Sequence, residues 1–511
     1  MSTASHQKLI LWTFIILKFI LVYVLVHPDY ELHRDEYLHL DLGRHLSWGY
    51  TSVPPATGLL SYVILLLGNS VFWIKFFPAL FGALTTWVVW MIVRQLQGGT
   101  FALLLACVAT TLSVIMRINI LYQPNSLDIL SWTLVYFGLL KYLDTNERRW
   151  IFLTAIFFSI GFLNKYNIGF LALGLLPGLL LTENRNLFTK KDFYLAFLMA
   201  LILIAPNLVW QYQNHFPVVH HMKELSETQL INVDRMDFVK EQILFFIGSL
   251  FVLLAAILAF FRYKAFRKYR FVLWSFVFCV AIFLYFKAKP YYTIGLYPVL
   301  LAFGSVYLEQ LFRTSWTRYL RPVAILVPIL FYIPVVRASF PIKPPEELEK
   351  EVLSSGKDHT WEDGKKHPLQ QDFADMLGWK ELAEQVDKAY ASVQDKQHTL
   401  IMADNYGQAG AINYYTMTPG LQANSFNADY IYWLKLDEPV TTFVSIKTAA
   451  EPDEELTLEK RVFSKWRLVG EVKNKYSREY GTKIYILTEP KVEITKALGM
   501  YRERLLKADG F

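Results

Sequence analysis

The chain is 511 residues long, 54% of them hydrophobic, with 51 Lys and Arg against 44 Asp and Glu and a mean hydropathy of +0.28, well above that of an ordinary soluble protein. Up to Ala338 the net charge is +12 and beyond it −5, so the basic excess lies in short loops between apolar runs; this excludes a nucleic-acid partner and points to a membrane protein. Cys107 and Cys279 both fall within apolar runs, which excludes a disulfide framework.

At about 20 apolar residues per crossing, spans are predicted near 9–26, 71–93, 100–116, 121–143, 150–163, 168–181, 192–212, 241–261, 271–286, 291–311 and 322–338, about eleven in all. Polar sequence instead of a cleavage site follows the first run, so it reads as a retained helix. The shorter run 57–67, broken at Gly68-Asn69-Ser70, reads as an interfacial or re-entrant segment. Alternate loops are unequal in charge: one set holds fourteen basic residues, and the longer opposite set nine. The positive-inside rule then places the N-terminus in the cytoplasm and the tail outside it, in a plasma (inner) membrane protein. Two domains are predicted, an α-helical transmembrane domain over 1–340 and a soluble extracytoplasmic α/β domain over 341–511. The second opens with Pro341, Pro344 and Pro345 and carries strand-like runs at Thr399-Leu400-Ile401-Met402 and 483–487.

With that orientation the unusual polar residues fall on the outer side. The first outer loop reads His33-Arg34-Asp35-Glu36-Tyr37, and adjacent carboxylates at a cavity mouth can supply one general base and one held partner; the bland alternative is a solvated acidic loop. Asp128, after Gln123-Pro124-Asn125, is the one carboxylate set well inside a run, where it needs either a polar cavity or an interhelical salt bridge. Arg117, Lys165, Lys287 and Lys289 stand at outer span mouths, where an anionic ligand or simple snorkelling to headgroups accounts for them. Lys18 and Lys75 lie inside runs without an assignment. His220, His221 and Glu224 lack a metal-binding spacing and read as an exposed loop. Asp404 to Gly410 reads as a strand entering a glycine-bearing turn, and the absence of a phosphate-loop Lys-Ser/Thr argues against a nucleotide site.

Asp35-Glu36, Trp48-Gly49-Tyr50 with Pro54-Pro55, Gln123 to Asp128, Leu163-Asn164-Lys165-Tyr166 and Lys289-Pro290-Tyr291-Tyr292 before Tyr297-Pro298 together resemble bacterial family 39 glycosyltransferases, among them the protein O-mannosyltransferases and the aminoarabinose transferase of lipid A. The resemblance covers about residues 8–340. It implies a GT-C fold with a cavity at the outer membrane face and a hexosyl or pentosyl donor carried on polyprenyl phosphate. It further implies Asp35 as catalytic carboxylate, with Glu36 and Asp128 assisting. Lys289, Lys287, Lys165 and Arg117 would bind the donor phosphate, and Tyr37, Pro54, Pro55, Gln123, Asn125, Tyr291 and Tyr292 would support the cavity. The expected reaction is inverting transfer to a lipid, glycan or protein hydroxyl. No cofactor is required by the sequence, and a divalent metal is left open. The rival readings are a transporter of an anionic lipid or sugar, and an O-antigen ligase or polymerase.

Overall fold

The computed structural model describes residues 3–228, 234–356, 358–362, 364–449 and 456–508. Every apolar run is helical. In chain order these are α1 (Thr3–Val24), α2 (Arg34–Leu42), α3 (Ala56–Leu66), α4 (Val71–Gln95), α5 (Thr100–Thr111), α6 (Val114–Ile118), α7 (Asn125–Thr145), α8 (Arg148–Asn164), α9 (Ile168–Leu180), α10 (Lys191–Gln213), α11 (Pro217–Thr228), α12 (Arg235–Leu244), α13 (Leu250–Arg262), α14 (Arg270–Tyr285), α15 (Tyr297–Leu311) and α16 (Leu320–Ser339). Among the described residues six helices are long and apolar enough to cross a membrane, or seven if α12 and the stretch Ile247–Arg262, bent by 64°, form one span. α3, α5 and α9 are shorter apolar helices. α7 pairs with α8, α9 with α14, and α13 with α15. Without a hydrophobic drive between lipid-bathed helices, close approach decides such pairs. At Gly304 a Cβ would lie 2.0 Å from the Val252 carbonyl oxygen, so only glycine lets α15 seat on α13.

Among the described residues the tail packs seven helices and two sheets: α17 (Pro345–Ser355), α18 (Gln371–Ala374), α19 (Trp379–Ala391), α20 (Tyr406–Tyr415), α21 (Tyr430–Trp433), α22 (Glu459–Val462) and α23 (Ile494–Ala508). A small hairpin pairs β1 (His359–Thr360) with β2 (Lys366–His367). The larger sheet holds β3 (Thr399–Ala403), β4 (Ala423–Ser425), β5 (Thr442–Lys447), β6 (Phe463–Glu471) and β7 (Lys483–Pro490), ordered β4-β3-β5-β7-β6. β3 is parallel to β4 and β5, and β7 is antiparallel to β5 and β6. The glycine-bearing turn expected after Asp404 is instead a helix. Asn405 caps it by accepting from the Gln408 amide, and Gly407 and Gly410 lie inside α20. A Cβ at Gly410 would stand 2.8 Å from the Tyr37 Cβ, so that glycine serves close packing of α20 on α2, and no turn is needed.

That contact joins tail to bundle. Tyr37 is fully buried with its ring among Trp379, Tyr414 and Tyr415. Asp41 accepts from Asn413 at 2.8 Å and from the Tyr430 hydroxyl at 2.7 Å. Arg117 reaches Asp372 at 3.1 Å.

Candidate functional site

The placement of Asp35 begins with a helix start. His33 accepts from the Asp35 amide while the Glu36 carboxylate accepts from the His33 amide at 2.7 Å, a capping box that fixes the first turn of α2. Consecutive helical residues point about 100° apart, and here they part company. Glu36 turns inward, wholly buried, taking Lys75 Nζ at 2.9 Å and the Tyr122 amide at 2.6 Å. Asp35 turns into a cavity of about 540 Å³ between bundle and tail, where 37% of its side chain stays open. One carboxylate oxygen accepts from the Tyr406 hydroxyl at 2.7 Å and the other from Gln123 at 3.1 Å. Burial works to raise the pKa of Asp35, but His33, the Tyr406 hydrogen bond, His39 and Arg34 outweigh it and hold the group below the ordinary carboxylate range. Asp35 is therefore ionised at neutral pH, as a base must be.

A polar chain leads from this carboxylate to the basic wall. Gln123 Oε1 accepts from Asn125 at 2.9 Å, and Asn125 Oδ1 accepts from Lys165 Nζ at 2.7 Å. Lys165, in the loop joining α8 and α9, lies 4.4 Å from the Tyr292 ring centre and 5.1 Å from that of Tyr291. Burial pushes its ammonium down to about 8, opposed by Asp128 and assisted by Lys289. Lys289 lines the same cavity, as do Tyr291 and Tyr292. The cavity thus sets an ionised carboxylate on one side and two lysines on another, chemistry suited to taking a proton while steadying a departing anion.

Several sequence-derived candidates lie elsewhere. Glu36 is a buried structural partner of Lys75, which gives that lysine its role. Asp128 does not line the cavity; it accepts from Trp132 Nε1 at 2.9 Å and Asn167 at 3.0 Å, anchoring the start of α7. Arg117 is taken by Asp372, and Lys287 is also outside the cavity, on a left-handed residue with φ of 52°. Tyr37 is occupied in the tail interface, and Pro54 and Pro55 are buried behind Thr51, Ser52 and Val53, which do line the wall. The pair His220-His221 falls on α11, not an exposed loop, and its His221 and Glu224 border the cavity.

Sequence reasoning missed Tyr406 altogether. Nothing near it in the chain signals a site, because its partner Asp35 is 371 positions away. Arg34, whose guanidinium lies 4.5 Å over the Tyr406 ring, and His39, buried in the cavity wall, were visible only as members of a polar loop. Among the described residues no group of three or more His, Cys, Asp or Glu is placed to hold a metal ion.

Residues 52–210 match the family described as dolichyl-phosphate-mannose-protein mannosyltransferase. No curated protein sequence matches the chain. In fold it is similar to ArnT from Cupriavidus metallidurans bound to undecaprenyl phosphate, with a TM-score of 0.60 at 13% identity over 95% of this chain and 98% of that one. The apo form of ArnT gives a TM-score of 0.60 at 13% identity over 97% and 99%.

Proposed function

We propose that this integral membrane protein, a glycosyltransferase of GT-C fold and of the mannosyltransferase and ArnT type, transfers a sugar from a polyprenyl-phosphate donor to an acceptor hydroxyl with inversion at the anomeric carbon. The observation that carries the reading is the shared cavity, in which Asp35, Lys165 and Lys289 face one ligand volume and Asp35 is linked to Lys165 through Gln123 and Asn125. Asp35 removes the acceptor proton as its oxygen attacks, and the two ammonium groups stabilise the phosphate monoester that leaves. Tyr406 and Gln123 hold one carboxylate oxygen each, so the base is aimed before substrate arrives. The fold similarity to a protein captured with undecaprenyl phosphate supports a lipid-phosphate donor. The orientation read from loop charges, with this cavity outside the cytoplasm, supports the same donor class, since nucleotide sugars are cytoplasmic.

The test uses the full chain in lipid nanodiscs. Undecaprenyl phosphate binding is measured by displacement of a labelled analogue, and transfer by loss of sugar from a polyprenyl-phosphate glycoside supplied with cell-envelope acceptors. Binding that disappears in the Lys165→Ala, Lys289→Ala double variant, with transfer lost in Asp35→Asn, is the expected result. No binding of the lipid phosphate by the wild-type chain refutes the donor assignment.

A further inference from the structure

A second cavity, about 440 Å³, is lined by the tail and by Arg34 of α2, and its volume is within the range of small-molecule sites. Its position follows from the sheet order. The chain leaves β3 through α20 to reach β4 on one side, and leaves β5 for β6 on the far side, beyond β7. Connections that diverge from the carboxyl ends of two adjacent parallel strands leave a crevice between them, the place where open α/β sheets take their ligands. Asp404 and Asn405, just after β3, and Thr448 and Ala449, just after β5, line this cavity.

The crevice is separated from the catalytic cavity by a thin partition. Arg34 lines both, Asn405 lines one and its neighbour Tyr406 the other, and the Arg34 guanidinium lies over the Tyr406 ring. Arg34 Nε is buried without a hydrogen-bond partner, so the partition retains a donor that a ligand can use. The remaining lining mixes the carboxylates Asp404 and Glu479 with the basic side chains of Lys365, Lys475 and Arg478 and with the aromatic rings of Tyr476, Tyr480 and Trp361, one face of which stacks on His367. Asp404 is paired with Lys447, Lys475 with Glu349 and Arg478 with Asp375, so the crevice presents already partnered charges of both signs and no concentrated positive site for a bare phosphate, whereas hydroxyl groups hydrogen-bond to either sign of charge and sugar rings pack on aromatic faces.

We infer that this switch-point crevice is a carbohydrate subsite that holds the acceptor glycan beside Asp35. The assignment rests on the transfer reaction proposed above, but the sugar-binding test stands apart from it. The full chain in nanodiscs is titrated with cellobiose, maltose and chitobiose, read by saturation-transfer difference NMR, and separately with inorganic phosphate. At least one disaccharide binds, Tyr480→Ala weakens it several-fold and the Trp361→Ala, Tyr480→Ala double variant about tenfold, and Lys165→Ala leaves it unchanged. Trp361 Nε1 also donates to the Leu369 carbonyl at 2.8 Å, so the Tyr480→Ala arm, at a side chain on the open rim, guards against a folding artefact. Binding of none of the three sugars, binding unaltered in both variants, or binding of phosphate in place of sugar overturns the inference. Sugar binding without lipid-phosphate binding leaves the subsite standing and removes the donor reading instead.

Discussion

Replacing Tyr406 by Phe deletes one hydroxyl and keeps the ring that Arg34 covers. The lost contact is a 2.7 Å hydrogen bond to an ionised carboxylate, of a kind worth about 1.5–3 kcal/mol. Water in the cavity replaces part of it, leaving about 1–2 kcal/mol, and at 1.36 kcal/mol per pKa unit the Asp35 pKa rises by about one unit. The sign follows from which form is bound: the phenol donates only to the carboxylate, so its removal favours the protonated acid. Asp35 starts below the ordinary carboxylate range, and a rise of one unit still leaves it ionised at pH 7. Turnover at neutral pH changes little through ionisation, while the acid limb of the rate profile moves up by about one unit. An assay independent of turnover reads the same quantity, namely the pH dependence of carbodiimide coupling at Asp35, quantified by peptide mass spectrometry. An acid limb and a labelling midpoint both unmoved in Tyr406→Phe would show that the hydrogen bond does not tune this carboxylate.

Asp35→Asn removes the proton acceptor at nearly constant size, and transfer falls by about 10²–10⁴-fold while undecaprenyl phosphate binding, measured in parallel, survives; near wild-type transfer would exclude Asp35 as base. Lys165 holds a phosphate only as an ammonium, and with its pKa near 8 that charge is lost as pH rises through 8. Donor kcat/KM therefore falls on the alkaline side in the wild type, and Lys165→Arg carries the limb to higher pH. Glu36→Gln strands the buried ammonium of Lys75 and costs about 3–5 kcal/mol of stability, seen as a large drop in Tm, and Glu36→Gln, Lys75→Met recovers much of it; a normal Tm in the single variant contradicts the structural role. A cysteine placed at exposed Met417 reacts with an impermeant maleimide in whole cells if the tail faces outward, and one in place of exposed Arg267 does not.

The helical and α/β halves were legible because apolar run length and charge asymmetry are local properties of the chain. Asp35, Lys165, Lys289, Gln123 and Asn125 were legible for a related reason: polar residues at the ends of apolar runs announce themselves, and each lines the cavity. What the sequence could not show was which of two adjacent carboxylates faces inward. Glu36 and Asp35 differ by one residue, and their fates are set by Lys75, placed opposite by the packing of α4. Arg117 misled for the converse reason, since its acid Asp372 lies 255 positions away in another domain. The glycines of α20 looked like turn residues, but the force acting on Gly410 is the proximity of Tyr37, which no local pattern encodes.

The docking of the tail also sets an order of events during biosynthesis. Asp35 emerges early, yet Tyr406 must be added before its carboxylate has both hydrogen-bond partners. The sheet that carries α20 closes only when β7 slots between β5 and β6, near residue 490. A nascent or truncated chain can therefore insert its helices with Asp35 still lacking its Tyr406 partner. The arrangement around Asp35 is complete only when nearly the whole polypeptide has left the ribosome and its last strands have folded.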